Sequence, residues 1–176
     1  MKSFILIFLL TISTNLFASD YCGDVLTYNG EKYFLYISPI ELIPNIFSRI
    51  SELRKKARSK DDKNERIIIV REDCNSIRAE WEILNNKLYL VNVYDSYTNE
   101  NINIFMEEVL GSKFINGKMI ADWVVGKYEI GKDILKHSLW LNYYINNVEF
   151  SFLRGIIIKE EKYILYLDEN GEVQEK

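Results

Sequence analysis

Ile77-Arg78-Ala79-Glu80-Trp81-Glu82-Ile83-Leu84-Asn85-Asn86-Lys87-Leu88-Tyr89-Leu90-Val91-Asn92-Val93-Tyr94 is the stretch that decides the fold class. Ile77, Ala79, Trp81 and Ile83 alternate with Arg78, Glu80 and Glu82, the period of two that a half-buried strand imposes on its side chains. Asn85-Asn86-Lys87 reverses the chain, and Leu88 to Tyr94 is a second β-rich run. Residues 77–94 therefore read as a β-hairpin.

The same grammar recurs on both sides. Upstream, Val25 to Tyr28 and Glu31 to Ile37 flank Asn29-Gly30, a pair that tolerates the positive φ angles of a type I′ turn. After Pro39 and Pro44, the positions Ile46, Phe47, Ile50 and Leu53 return at helical spacing behind Asn45, which predicts a helix over 45–58 with Asn45 as its N-cap. The polar stretch Ser59 to Arg66 reads as a loop and Arg66 to Val70 as a buried strand. Downstream, Ile102, Phe105, Met106, Val109 and Leu110 predict a short helix near 101–110 that stops at Gly111.

The rest predicts strands: 119–130 with a bend at Gly126 and a turn at Gly131, then 134–145, 148–158 and 162–167. Asn146-Asn147 and Lys159-Glu160-Glu161 are placed as their turns, and Asp168 to Lys176 as an exposed tail. The fold class is mainly β, of α+β type: an antiparallel sheet that curls or closes, with the two short helices packed at an end. Trp81 and Trp123 are expected in the core.

Ile77 to Leu90 also resembles the ATWEIxNNKLYL hairpin of a group of small bacterial β-rich domains. Gly117-Lys118-Met119-Ile120-Ala121-Asp122-Trp123-Val124-Val125-Gly126-Lys127-Tyr128-Glu129-Ile130-Gly131 is similar to their GKxxAxWxxGxxxIxxG stretch. The resemblance covers about residues 75–131 and departs after Gly131. It implies a β-rich domain and carries no catalytic residues.

The chain has 176 residues, 48% hydrophobic and 27% charged, with twelve Tyr and nine Phe against two Pro and eight Gly, which suits a packed domain rather than a disordered or repetitive one. Its formal charge of −4 speaks against nucleic-acid binding, which shows as a basic excess. Lys2, the apolar run Phe4 to Ile12 and the small residue Ala18 read as a signal peptide over 1–18, too short to cross a bilayer, ahead of a single domain over 19–176. No transmembrane segment is expected in the mature chain, which is placed in the periplasm or outside the cell. Export makes a Cys22–Cys74 disulfide the economical use of the two cysteines, contributing about 4 kcal/mol.

Little in the sequence names a reaction. His137 is the one histidine, so any triad or histidine metal site depends on it. The carboxylate pairs Asp61-Asp62, Glu107-Glu108 and Glu160-Glu161 are adjacent in sequence, which does not place two carboxyls across a cleft. Asp61 to Glu65 lacks the glycine of a calcium loop, and neither a metal nor another cofactor is expected.

Two surfaces stand out instead. Arg49, Arg54, Lys55, Lys56, Arg58 and Lys60 cluster on the first helix, a basic patch suited to a protein or anionic envelope component, and reversing Arg54, Lys55 and Arg58 to Glu is expected to leave the fold intact. Tyr33, Tyr36, Tyr89, Tyr94, Tyr97, Tyr143 and Tyr144 lie in or beside strands and form a second candidate surface. The leading expectation is an exported, non-enzymatic binding protein of inhibitor or immunity type. The alternatives are a hydrolase of cell-wall or extracellular polymers and a barrel that stores a ligand.

Overall fold

The computed structural model describes residues 23–58, 77–137 and 142–176. Asn29 and Gly30 both take positive φ (51° and 79°) and fold β1 (Val25–Tyr28) onto β2 (Glu31–Leu35), as the type I′ reading requires. Asn85 and Asn86 (52° and 60°) do the same for β3 (Ile77–Leu84) and β4 (Lys87–Asp95). Along β3 the alternate residues Ile77, Ala79, Trp81 and Ile83 are buried.

α1 (Ile46–Arg58) and α2 (Asn103–Leu110) occupy the two predicted helical segments. Gly111 ends α2 in the left-handed conformation, and its N–H donates to the Glu107 carbonyl. Asn45 departs from the N-cap expectation: it takes φ 56°, and its contribution is the backbone carbonyl that accepts the Arg49 N–H. A 3₁₀ turn over Pro39–Leu42, capped by the Ser38 side chain, precedes α1 and was not legible as helical periodicity.

The remaining strands are β5 (Met119–Ile120), β6 (Gly126–His137), β7 (Asn142–Leu153), β8 (Ile156–Leu167) and β9 (Val173–Glu175). Neighbours run β5-β4-β3-β1-β2-β6-β7-β8-β9, and β4 also pairs with β8 at Lys87 and Ile156. That pairing closes the seven strands from β4 round to β8 into a barrel. Pairing is antiparallel except between β1 and β3, which run parallel with Leu26 beside Trp81. A parallel neighbour needs a crossover, and here the crossover carries the 3₁₀ turn and α1.

Four expectations in the C-terminal half are corrected. Gly131 is inside β6, not a turn: a Cβ there would lie 2.3 Å from the Tyr144 ring, so the glycine makes room for an aromatic. Asn146-Asn147 lies within β7 and Lys159-Glu160-Glu161 within β8. The β7–β8 turn is Arg154-Gly155, with φ 51° and 70°. The tail is not merely exposed, because the Asp168 carboxylate accepts the N–H groups of Asn170 and Glu172 and turns the chain so that β9 pairs with β8. The expected strand over 66–70, the signal peptide and both cysteines lie outside the described residues.

One core joins barrel and helices. Leu26, Trp81, Leu90 and Phe150 fill the barrel, while Ile46 and Ile50 of α1 and Met106 and Val109 of α2 belong to the same buried cluster. Trp81 is fully buried as expected. Trp123 is only partly buried and lies in the turn after β5 rather than in a strand, its ring 6.4 Å from that of Trp81.

A polar staple holds the centre. The buried Asp24 carboxylate accepts the Ala79 N–H (2.8 Å), the Trp81 Nε1–H (2.7 Å) and the Ser38 hydroxyl, joining β1, β3 and the cap of the 3₁₀ turn. Burial pushes its pKa above the ordinary 3.8, outweighing the hydrogen bonds from Ser38, Trp81 and Ala79 that favour the ionised form. The folded protein thus holds this proton at pH values where the unfolded chain has lost it. The group's stabilising contribution is full below pH 3.8 and is lost as pH rises through the folded-state pKa. Asp24→Asn stays neutral throughout, so the stability of wild type minus that of the variant is expected to fall as pH rises through this window. Urea midpoints of the two proteins across pH measure it, and a flat difference would contradict the raised pKa.

Candidate functional site

Strand alternation and register place a set of polar side chains on the interior face at one mouth of the barrel. Leu26 is buried inside and is opposite Tyr33, while Tyr28 is opposite Glu31, so all four share that face. Across β6, β7 and β8 the register rows are Tyr128–Phe150–Glu160, Ile130–Val148–Lys162 and Lys132–Asn146–Ile164. In the first two rows buried apolar residues give way to charge on β8, and the third row, nearer the rim, carries Lys132 and the polar Asn146. The result is a cleft of about 550 Å³ with Glu31, Tyr33, Lys132, Asn146, Lys162 and Ile164 in its lining.

These groups are already partnered with one another. Lys132 pairs with Glu31 (2.9 Å), which also accepts the Tyr33 hydroxyl (3.1 Å). Glu160 accepts the Tyr28 hydroxyl (2.8 Å) and pairs with Lys162 (3.1 Å), whose ammonium lies 6.0 Å from the centre of the Tyr28 ring. The Tyr28 ring meets Phe150 edge-on at 5.0 Å, anchoring the network to the core.

The titration behaviour follows from this pairing. The hydrogen bond from Lys132 holds Glu31 below the usual carboxylate range, and the reciprocal bonds to Glu31 and Glu160 raise Lys132 and Lys162. Burial, followed by the neighbouring glutamates, raises the Tyr28 and Tyr33 hydroxyls. Near neutral pH Glu31 is ionised, the two lysines are charged and the two tyrosines are protonated. Such groups give hydrogen bonds and charge to a ligand, whereas a general acid or base needs a pKa moved toward the working pH.

The residues singled out from sequence divide differently. On α1, Arg49 donates to the Val109 carbonyl of α2, and Arg54 forms an ion pair with Asp95, a carboxylate 5% exposed that also accepts the Tyr97 and Thr98 N–H groups. Lys55 and Lys56 are exposed. Arg58 ends the helix, and its side chain, like Lys60, Cys22 and Cys74, lies outside the described residues. The expectation that reversing Arg54 leaves the fold intact is therefore corrected: the change would set a carboxylate against the buried Asp95.

Among the tyrosines, Tyr33 lines the cleft. Tyr36 donates to Asn147 Oδ1 (2.8 Å) and accepts the Tyr144 N–H (3.3 Å), Asn147 donates to the Tyr144 carbonyl (2.6 Å), and the Tyr144 ring stacks on Phe34. Burial raises the Tyr36 hydroxyl to about 12. Tyr94 lies under the Arg78 guanidinium, and Tyr89, Tyr97 and Tyr143 are half-buried.

Glu160 and Glu161 do not form an acid pair. Glu160 faces the mouth and binds Tyr28 and Lys162, whereas Glu161 pairs with Lys159 on the opposite face of β8. Glu107 accepts the Phe114 N–H, and Asp61-Asp62 lies outside the described residues. His137 closes β6, and its side chain is likewise not described. Among the described residues no group of three His, Cys, Asp or Glu side chains could hold a metal ion, and no helix is long and apolar enough to cross a membrane.

Comparison of the chain with protein-family models, with curated proteins and with solved structures gives no match. Glu31, Lys132, Asn146 and Lys162 were missed from sequence. Their signal was polar residues at strand positions that alternation assigns to the interior; for Lys132 it needed β6 to run through Gly131, and for Lys162 the correct β7–β8 turn.

Proposed function

We propose that the protein is an exported, non-enzymatic binding protein of inhibitor or immunity type, and that it engages an envelope partner through the cleft at the barrel mouth. The carrying observation is the Tyr28-Glu31-Tyr33-Lys132-Glu160-Lys162 network, which combines aromatic rings with two Lys–Glu pairs and supplies Glu31, Tyr33, Lys132 and Lys162 to the lining of a cleft of about 550 Å³. That volume suits a small ligand or a protruding loop of a partner. A tyrosine offers large contact area with few rotatable bonds, and the Lys–Glu pairs offer both signs of charge to a partner. The helix α1 is the weaker surface, since Arg49 and Arg54 are engaged within the protein.

Affinity capture from an envelope fraction supplies the partner, and the affinity of variants tests the site. Tyr33→Ala combined with Lys132→Ala is expected to weaken binding at least tenfold, whereas Lys55→Ala with Lys56→Ala changes it little. The opposite ranking would transfer the interface to the helix.

A further inference from the structure

The place where the barrel closes has a chemistry of its own, carried by observations separate from the cleft. Three turns are knitted together there by backbone hydrogen bonds. Leu88 N–H donates to the Gly155 carbonyl (2.8 Å), Ile157 N–H to Asn86 (2.9 Å), Gly155 N–H to Val124 (2.9 Å) and Ala121 N–H to Leu88 (3.0 Å). The turns are 85–86, 121–125 and 154–155. Gly155 takes φ +70° and is packed so closely that a Cβ would lie 2.5 Å from the Ala121 carbonyl oxygen.

This rigid seam presents aliphatic side chains to solvent. Leu84, Lys87, Ile156 and Leu153 follow one another in register across β3, β4, β8 and β7, and they share the outward face because Ile83, Leu88 and Phe152 point inward. Leu84, Ile156 and Leu153 are 43%, 47% and 54% exposed, and Ile120, Val125 and Ile158 on the adjoining segments are exposed as well. Ile156 and Leu153 are adjacent in the row and Leu84 lies across Lys87 from them, and a cluster of exposed aliphatic groups of this kind marks a contact.

We propose that the seam docks on an anionic lipid bilayer. Lys87 lies in the row and Arg154 in the adjoining turn; both are exposed and make no ion pair among the described residues, while Lys118, Lys127 and Lys159 nearby are paired with Glu82, Glu149 and Glu161. Over the row and the three turns together, the unpaired cations Lys87 and Arg154 face the single carboxylate Asp122, which leaves the seam one positive charge in excess in a chain of formal charge −4. Aliphatic groups entering the acyl boundary beside cations at the headgroups are the two terms that hold peripheral proteins to anionic membranes. The exposed apolar residues are Leu, Ile and Val, whereas anchors of protein interfaces are enriched in Trp, Tyr and Arg with Leu and Val under-represented.

Sedimentation of the full chain with vesicles of phosphatidylglycerol and phosphatidylcholine, against phosphatidylcholine alone, is the test. Binding to the anionic vesicles is expected, with weakening as salt rises. Leu153→Ser with Ile156→Ser is expected to reduce the bound fraction at least tenfold, and Lys87→Gln with Arg154→Asn to remove the preference for anionic lipid; unchanged thermal unfolding shows that both variants fold. Failure to bind anionic vesicles, binding that neither variant alters, or self-association through the seam in place of vesicle binding would overturn the proposal. The Tyr33 and Lys132 substitutions should leave vesicle binding unchanged, which separates this surface from the cleft.

Discussion

Replacing Trp81 by Ala is expected to cost about 3–5 kcal/mol of stability, the range for truncating a large core aromatic. The ring is 1% exposed, packed beside Leu26 in the barrel, and its Nε1–H is one of three donors to the buried Asp24 carboxylate. The substitution therefore removes apolar burial and also leaves a buried acceptor short of a partner. Trp81→Phe keeps part of the apolar ring while losing the donor, so it is expected to cost less than the alanine variant, about 1–3 kcal/mol. Urea unfolding of the three proteins measures both. A loss below about 1 kcal/mol for the alanine variant would mean that β3 presents its other face to the core.

The second large effect is at the seam. Gly155→Ala must adopt the left-handed conformation, at about 1–2 kcal/mol, and must also place a methyl against the Ala121 backbone, adding roughly 1–3 kcal/mol of overpacking. Gly171 has nearly the same φ (+77°) with open space around it, so Gly171→Ala is expected to show the conformational cost alone. Equal losses at the two positions would contradict the close approach of the β7–β8 turn to residues 121–125, and with it the closure between β4 and β8.

The N-terminal half was legible where local chemistry and global fold agree. Asn-Gly and Asn-Asn turns, the alternation of Ile77 to Ile83 and the helical spacing from Ile46 to Leu53 each specify their element from neighbouring residues alone. The C-terminal strands failed for a shared reason. Asn146-Asn147 and Lys159-Glu160-Glu161 look like turns, yet they lie in strands because distant partners satisfy them: Tyr36 bonds Asn147, and Tyr28 bonds Glu160. Gly131 looks like punctuation but accommodates the Tyr144 ring.

The candidate site was hidden by the same displacement. Once the turn moves to Arg154-Gly155, Glu160 and Lys162 fall on the interior face, opposite Phe150 and Val148, and the charged mouth of the barrel emerges. The basic helix was visible because its charges lie close together in sequence. What sequence could not show is that Asp95 and the Val109 carbonyl engage two of those cations from other elements.

The most direct measurement for the central claim, recognition at the barrel mouth, is a nuclear magnetic resonance titration of the labelled protein with its captured partner. The account expects the largest shift changes at Glu31, Tyr33, Lys132, Asn146 and Lys162, with Lys55 and Lys56 little moved. Changes confined to α1, with the mouth unperturbed, would contradict it.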